Sequence, residues 1–410
     1  MRIHPFQALR PPADRAAAVA SVPYDTVDRD EALTLAAGNP DSFLHIVRPE
    51  INLPAEAPTD PETLGRTARR ALKDFIARGT LMRDDHAQHY IYRLATDMHT
   101  QYGVVTCCHI DDYAANVIRK HELTRPDKEL DRMYHIQATG AHTGPVFLTY
   151  RDNPTVDACC LRAMQRDPLY DFEAIDGVRH TIWPADGEDE LTAAFETVPC
   201  AYIADGHHRA AAAVRAGLER RKGQAGVPVT STEGDWFLSV LFAASQLRIL
   251  PYNRIVHDLN DHTPDQLLAA MSRECIIEPA GGSPGPDGPD AVDMYLAGRW
   301  MRLRLRRDGD GTPVFDAAAL QARLLAPLLG IDEPRTSSRI AFIGGVHGAT
   351  GLQRLVDSGR AAIAFLLNPV SVETLMATSD AGAIMPPKST WFEPKLRSGL
   401  LIHTIDEELA

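Results

Sequence analysis

Apolar positions along this chain recur with a period near 3.6 in some stretches and near 2 in others, and the changes of period mark its elements. The clearest helical stripe is TDPETLGRTARRALKDFIARG at 59–79. Leu64, Ala68, Leu72, Phe75 and Ile76 share one face, Thr59 or Asp60 caps the start, Pro61 suits the first turn and Gly79 closes it. HYIYRLA at 89–95 and YGVVTCCHI at 102–110 read as two strands joined by a polar loop. VPCAYIADGHHRAAAAVRAGLERRKG at 198–223 reads as strand, tight turn and helix, followed by a buried strand in DWFLSVLFAAS and by LRILPYNRIV. MYLAGRWMRLRLRR at 294–307 alternates apolar and basic residues around Ala297-Gly298, which predicts a hairpin with one wet face. FDAAALQARLLAPLLGI is helical up to a break near Pro327. In the last seventy residues RIAFIGG and AAIAFLLN read as strands, GATGLQRLVDSG as a short helix closed by Gly359, and Asn368 as the cap of a helix begun by Pro369.

The first sixty residues show little periodicity and read as ordered loops around short elements. PAGGSPGPDGPD at 279–290 is too polar and too rich in Pro and Gly to pack. The mixture is α/β, or more loosely mixed α+β, and no sheet order follows from it. A length of 410 residues suits two or three lobes. The organisation expected is an N-terminal α/β lobe over 1–150 with a basic KHE segment, a core over 151–278 carrying DGHHR, and a C-terminal α/β lobe over 291–410.

Charge and cysteine usage narrow the partners. The net charge of -13 disfavours nucleic acid as a ligand. No apolar run is long enough to span a membrane, and MRIHPFQALRPP lacks an apolar signal core, so a cytoplasmic location is expected. Cys107-Cys108 and Cys159-Cys160 lack the CxxC spacing of a zinc site and read as strand or core residues in a reducing compartment.

The chemistry concentrates in IADGHHR at 203–209. A strand end, a glycine and a helix start form a geometry that accepts phosphate, because the first helical N–H groups have no partner within the helix. Arg209 would add a two-pronged fork for phosphate oxygens. Asp205 would hold a ribose hydroxyl, a magnesium-bound water or the turn itself. His207 and His208 would act as donors or proton carriers. Adjacent histidines point about 100° apart on a helix, so this pair does not readily grip one ion. A purely structural polar turn is the plainer alternative.

Four other stretches supply companions. RKHELTRPDKELDR at 119–132 gathers five permanent cations, with Glu122 as a general base or magnesium ligand and His121, Lys128 and Arg132 as contacts for anionic groups; a solvated charged helix would look similar. In FLHIVRPE, Arg48 could clamp a carboxylate or phosphate and Glu50 could take a hydroxyl proton, with His45 beside them; a surface ion pair is the alternative. Asp25 in VPYDTV is a turn former or a substrate contact, and Lys388 in MPPKSTWFEPKL approaches from a stretch stiffened by two prolines. FIGGVHGATG lacks the signature of a P-loop and reads as a turn.

Taken together, VPYDTV, NPDSFLHIVRPE, IRKHELTRPDKELDR, YIADGHHR and MPPKSTWFEPKL resemble a bacterial and archaeal family called domain of unknown function 1015, over nearly the whole chain. DGHHR is further similar to a turn of the ParB and sulfiredoxin superfamily. The resemblance implies a ParB/sulfiredoxin-like nucleotide-binding core with additional α/β lobes. It also implies that the turn binds nucleotide phosphates, ATP or ADP with Mg2+, and that the reaction moves a phosphoryl group onto a small hydroxylated metabolite such as free serine. A ParB-like nucleotide switch and a metal-dependent phosphohydrolase are the rival functions. The partners implied are a nucleotide and a small-molecule substrate, with self-association into a homodimer left open.

Overall fold

Nine strands form the larger sheet: β1 (Ile3–His4), β2 (His89–Ala95), β3 (Thr100–His109), β4 (Ile118–Arg119), β5 (Val146–Tyr150), β6 (Tyr170–Glu173), β7 (Arg179–Ala185), β8 (Ala201–Asp205) and β9 (Trp236–Ala243). Their order is β4-β8-β5-β9-β3-β2-β7-β6, with β1 paired to β3. β8 runs parallel to β4, and β9 runs parallel to β5, while the remaining pairs are antiparallel. β5 and all of β9 but its first residue are buried, as expected of strands covered on both faces. The computed structural model describes residues 1–185, 188–223, 233–281, 284–288, 291–305 and 316–406.

Three helices matter for the site: α1 (Pro61–Ala77), α2 (Pro126–Thr139) and α3 (His207–Gly223), with α1 packed on α2 and α2 on α3. α1 begins as its sequence predicts. Asp60 is the cap, its Oδ1 accepting from the Thr63 N–H at 2.9 Å, and Leu72 and Phe75 turn into the core. The first sixty residues hold short elements, among them a helix over Arg29–Ala36 with a reciprocal Asp28–Glu31 capping box. All six cysteines are free and buried; Cys107 and Cys108 lie on β3, whereas Cys159 and Cys160 lie on a helix over Pro154–Ala163.

Contacts divide the chain into two units. The first takes Met1–Leu247, Ser379–Gly382 and Pro394–Ala410, and the second takes Arg248–Thr378 and Ala383–Glu393. The boundary expected near residue 150 therefore falls within one unit, because β5, which ends there, is sandwiched between β8 and β9 from the far side of it. Likewise 278 and 291 fall inside the second unit, where their strands share a sheet.

That second sheet contains β10 (Tyr252–Val256), β11 (Cys275–Pro279), β12 (Ala291–Leu296), β13 (Arg299–Leu305), β14 (Ile340–Gly344) and β15 (Ile363–Leu366), in the order β11-β13-β12-β15-β10-β14 and antiparallel throughout. The hairpin at Ala297-Gly298 is present, with φ of 49° and 78°, the paired positive values of a tight hairpin turn. One expected cap is corrected. Asn368 does not start a helix: its side-chain amide donates to the carbonyls of Gly288 and Ala291 at 2.9 Å, and its backbone N–H donates to Asp316. The helix begins later, at Val372, with Ser371 Oγ accepting from the Thr374 N–H at 3.1 Å.

Candidate functional site

The corner around DGHHR is built by one pairing in the sheet. β4 and β8 are parallel, with Ile118 beside Ala201 and Arg119 beside Tyr202. Both segments leave the sheet in the same direction, so the residues after Arg119 run beside the end of β8. There the register against β5 slips between Ile203 and Asp205, a bulge that redirects the strand before the turn. Gly206 follows at φ +91°, a conformation that side-chain-bearing residues avoid. A Cβ on it would sit 3.0 Å from Nε and Cζ of Arg209. α3 then starts at His207, with the Ala210 N–H donating to the Gly206 carbonyl at 2.9 Å.

Arg209 is not the phosphate fork its position suggested. It is buried; one Nη donates to the Pro145 carbonyl and the other to Asp205 Oδ2 at 3.1 Å, with Asp25 Oδ2 at 4.0 Å. Burial works against its charge, yet Asp25 and Asp205 outweigh burial and raise its pKa. One helical turn separates Asp205 from Arg209, so the helix itself brings them together. Asp205 is approached by a second cation, Lys395, whose Nζ lies 3.6 Å from the same Oδ2. Lys395 belongs to the same MPPKSTWFEPKL stretch as Lys388, and the sequence favours Lys388, which follows two prolines, over Lys395, which follows one. Lys388 lies in the second unit, 5.6 Å from the centre of the Tyr252 ring and at φ +56°.

Opposite Asp205 sit His121 and Glu122, placed by the exit from β4 and not by a helix, since α2 starts only at Pro126. His121 and His207 are buried, and their rings meet edge to face with centroids 4.5 Å apart. One donor atom each from His121, Glu122 and His207 falls within 4.8 Å of the others. Burial pushes the His121 imidazole down to about 4, against the opposing pull of Asp205 and a hydrogen bond to the Ile203 carbonyl, so it is neutral at ordinary pH. His208 faces the loop instead: its Nε2 accepts from the Arg125 backbone N–H at 2.9 Å. It is a positioning residue that ties the segment after His121 to the start of α3.

The remaining expected residues fall into two groups. Arg48, Glu50, Asp25 and Arg132 join the corner's support through Tyr24. Arg48 Nε lies 2.9 Å from Glu50 Oε1, its Nη1 donates to the Tyr24 carbonyl, and Arg132 lies over the Tyr24 ring at 4.1 Å. Glu50, expected as a base, is thus the ion-pair partner of Arg48. Arg132 also pairs with Asp131 at 2.7 Å. His45 and Lys128 stand apart: the His45 ring is within hydrogen-bonding distance of Asn52 Oδ1 (2.6 Å) and the Asn39 carbonyl (3.2 Å), and Lys128 is exposed on the first turn of α2.

Arg209 also borders a cavity of about 40 Å³, lined among others by Tyr24, Arg132, His135, His142 and Thr143, with room for a few waters. His135 Nε2 is 3.1 Å from Thr143 Oγ1, and His142 Nδ1 is 3.1 Å from Nδ1 of His403.

A sequence family described as "Protein of unknown function (DUF1015)" matches residues 3–328. No curated protein matches the chain. Among solved structures, a conserved hypothetical protein from Pyrococcus furiosus is 12% identical, with 75% of this chain and 97% of that one covered and a TM-score of 0.38. A free serine kinase in complex with AMP is 12% identical, with 75% and 93% covered and a TM-score of 0.40. SbnI from Staphylococcus aureus, with a C-terminal truncation, is 13% identical, with 74% and 92% covered and a TM-score of 0.39. The wider relation to ParB and sulfiredoxin rests on the DGHHR resemblance alone.

Proposed function

Since this chain belongs to the DUF1015 family, whose description assigns no reaction, we propose a function from its own site: nucleotide-dependent transfer of a phosphoryl group to a small hydroxylated metabolite, with free serine the first acceptor to assay. The observation that carries this reading is the corner itself. The parallel exit of β4 and β8 sets Glu122 and His121 beside a glycine-led helix start, with Lys395 at its edge. The first amides of α3 and the ammonium of Lys395 would hold the phosphates. The acceptor hydroxyl oxygen would bond to the terminal phosphorus as its bond to the bridging oxygen breaks, the nucleotide leaves one phosphate shorter, and Glu122 takes the hydroxyl proton. Arg209 holds the turn in shape and does not touch the phosphate.

The experiment is incubation with ATP or ADP and a panel of small alcohols, serine first, with the products read by phosphorus NMR. A phosphorylated acceptor is expected, together with a rise in melting temperature on adding nucleotide. Lys395→Ala should lower kcat/KM by about 10²-fold while the fold stays intact. The proposal is sunk by an absence of both phosphoryl transfer and nucleotide-induced stabilisation. Release of inorganic phosphate without an acceptor would favour phosphohydrolysis, the second reading, which the His-Glu-His grouping supports.

A further inference from the structure

We infer that His121, Glu122 and His207 form a binding site for one divalent first-row transition metal ion, of the zinc class. The catalytic use of that ion rests on the reading above; the site does not.

Three observations support it. The first is convergence: two ring nitrogens and a carboxylate oxygen lie within 4.8 Å of one another. A four-coordinate ion about 2.0–2.2 Å from each donor needs them about 3.3 Å apart, so small side-chain rotations close the set. These residues come from two strand exits more than eighty positions apart in sequence. His207 thus finds its partner in His121, not in the adjacent His208, which is engaged with the Arg125 N–H. The second is the setting of His121. It is buried, and its ring meets the buried His207 ring edge to face with centroids 4.5 Å apart, so one ring nitrogen from each is held in the same small space. The third is charge. Asp205, the carboxylate expected to bind magnesium, is matched by Arg209 and Lys395, whereas Glu122 brings an anionic oxygen to the two imidazoles and so supplies a negative charge toward that of the ion.

Donor chemistry then selects the ion. Magnesium demands oxygen ligands and keeps its waters, and manganese shares its preference for oxygen, whereas imidazole suits zinc, copper, iron and nickel. With three protein ligands a fourth position stays open, facing the start of α3. There the ion would polarise a phosphoryl or hydroxyl oxygen, and the second oxygen of Glu122 would remain available for a proton.

The test needs no nucleotide and no substrate. The full chain is stripped with a chelator, then titrated with Co2+ while its visible ligand-field bands are followed, and with Zn2+ in a calorimeter. One ion per chain is expected, with bands of four- or five-coordinate intensity that Zn2+ abolishes and Mg2+ leaves unchanged. Glu122→Gln and His207→Gln should each weaken binding by more than the roughly 10- to 100-fold that loss of an outer-shell partner costs. Glu122 is only half-buried, so its variant keeps the test valid if a histidine variant fails to fold. No Co2+ bands, or binding unaltered in Glu122→Gln and in a folded His207→Gln, overturns the assignment. A protein that binds zinc in this way yet transfers no phosphoryl group would defeat the reaction and keep the site.

Discussion

Arg209→Met lowers the melting temperature by on the order of 10 °C, and Arg209→Lys recovers little of the loss. The guanidinium is buried, and each end of it is committed: one nitrogen to the Pro145 carbonyl, the other to Asp205, with Asp25 close by. Removing it strands a buried carbonyl and leaves Asp205 with one cation instead of two. Stranding a buried carbonyl costs about 1–3 kcal/mol and losing a hydrogen bond between charged groups about 1.5–3 kcal/mol, and in a unit of this size each kcal/mol moves the midpoint by about 2–4 °C. Lysine places one charge at one point and cannot reach Pro145 and Asp205 together. Gly206→Ala is the milder companion: its strained φ costs about 1–2 kcal/mol, and the new methyl presses on the same guanidinium. Differential scanning calorimetry at neutral pH measures all three. A midpoint for Arg209→Met within two or so degrees of the parent would show that Arg209 is dispensable to the turn.

Acid is the second large effect. Stability should fall steeply between about pH 6.5 and pH 5, before most carboxylates titrate. Burial pushes His89 down to about 4 and His180 down to about 3, and holds His135 and His142 well below the ordinary imidazole range. The nearby positive charge of Arg397 adds to the shift at His180, and that of Arg132 at His135. The unfolded chain takes up protons near pH 6.5, while the folded chain resists them until several pH units lower. The stability is therefore complete above about pH 6.5 and is lost as pH falls toward the folded values. One pH unit across one such group corresponds to about 1.4 kcal/mol, so several together lower the midpoint by on the order of 10 °C by pH 5. Glu233 acts in another window: hydrogen bonds to His4 and His403 outweigh burial and hold it at about 2, so its contribution fades only below the usual carboxylate range. Thermal unfolding from pH 7.5 to 4.5 decides the matter, with His89→Gln expected to flatten the curve in part. A midpoint constant down to pH 5 would mean these imidazoles accept protons without unfolding.

Much of the corner was legible before any coordinates. Gly206, set between an apolar strand and an alanine-rich helix, announces a turn, because few other residues tolerate that backbone. α1 and the hairpin at Ala297-Gly298 were equally plain, since cap, stripe and turn chemistry agree there. What stayed hidden depends on partners distant in sequence. β4 is two residues long and carries no alternating pattern of its own, yet its parallel pairing with β8 places His121 and Glu122. Arg209 looked like a ligand group because nothing local reveals that Pro145 waits beneath it. Lys388 and Lys395 share a Pro-Lys setting, and only tertiary structure shows which of them reaches Asp205. Asn368 kept the signature of a cap but answers to Asp316 and two carbonyls from elsewhere. Cys159 and Cys160 pack in the core, one of the two settings expected of them, on a helix that Asn153 caps and Pro154 starts.

The first unit opens at the N-terminal strands and is completed by the stretch from Pro394 onward, which brings Lys395 to Asp205 and pairs His403 with His142 and Ile402 with Leu9. During synthesis the ribosome must translate the entire second unit before those residues emerge, a delay of roughly seven to thirty seconds at ordinary elongation rates. Through that interval the nascent first unit lacks the cover that the late segment gives to Leu9, His142 and Asp205. Folding intermediates of this chain should therefore be ready clients for chaperones, and truncations just short of Pro394 should aggregate as they are made.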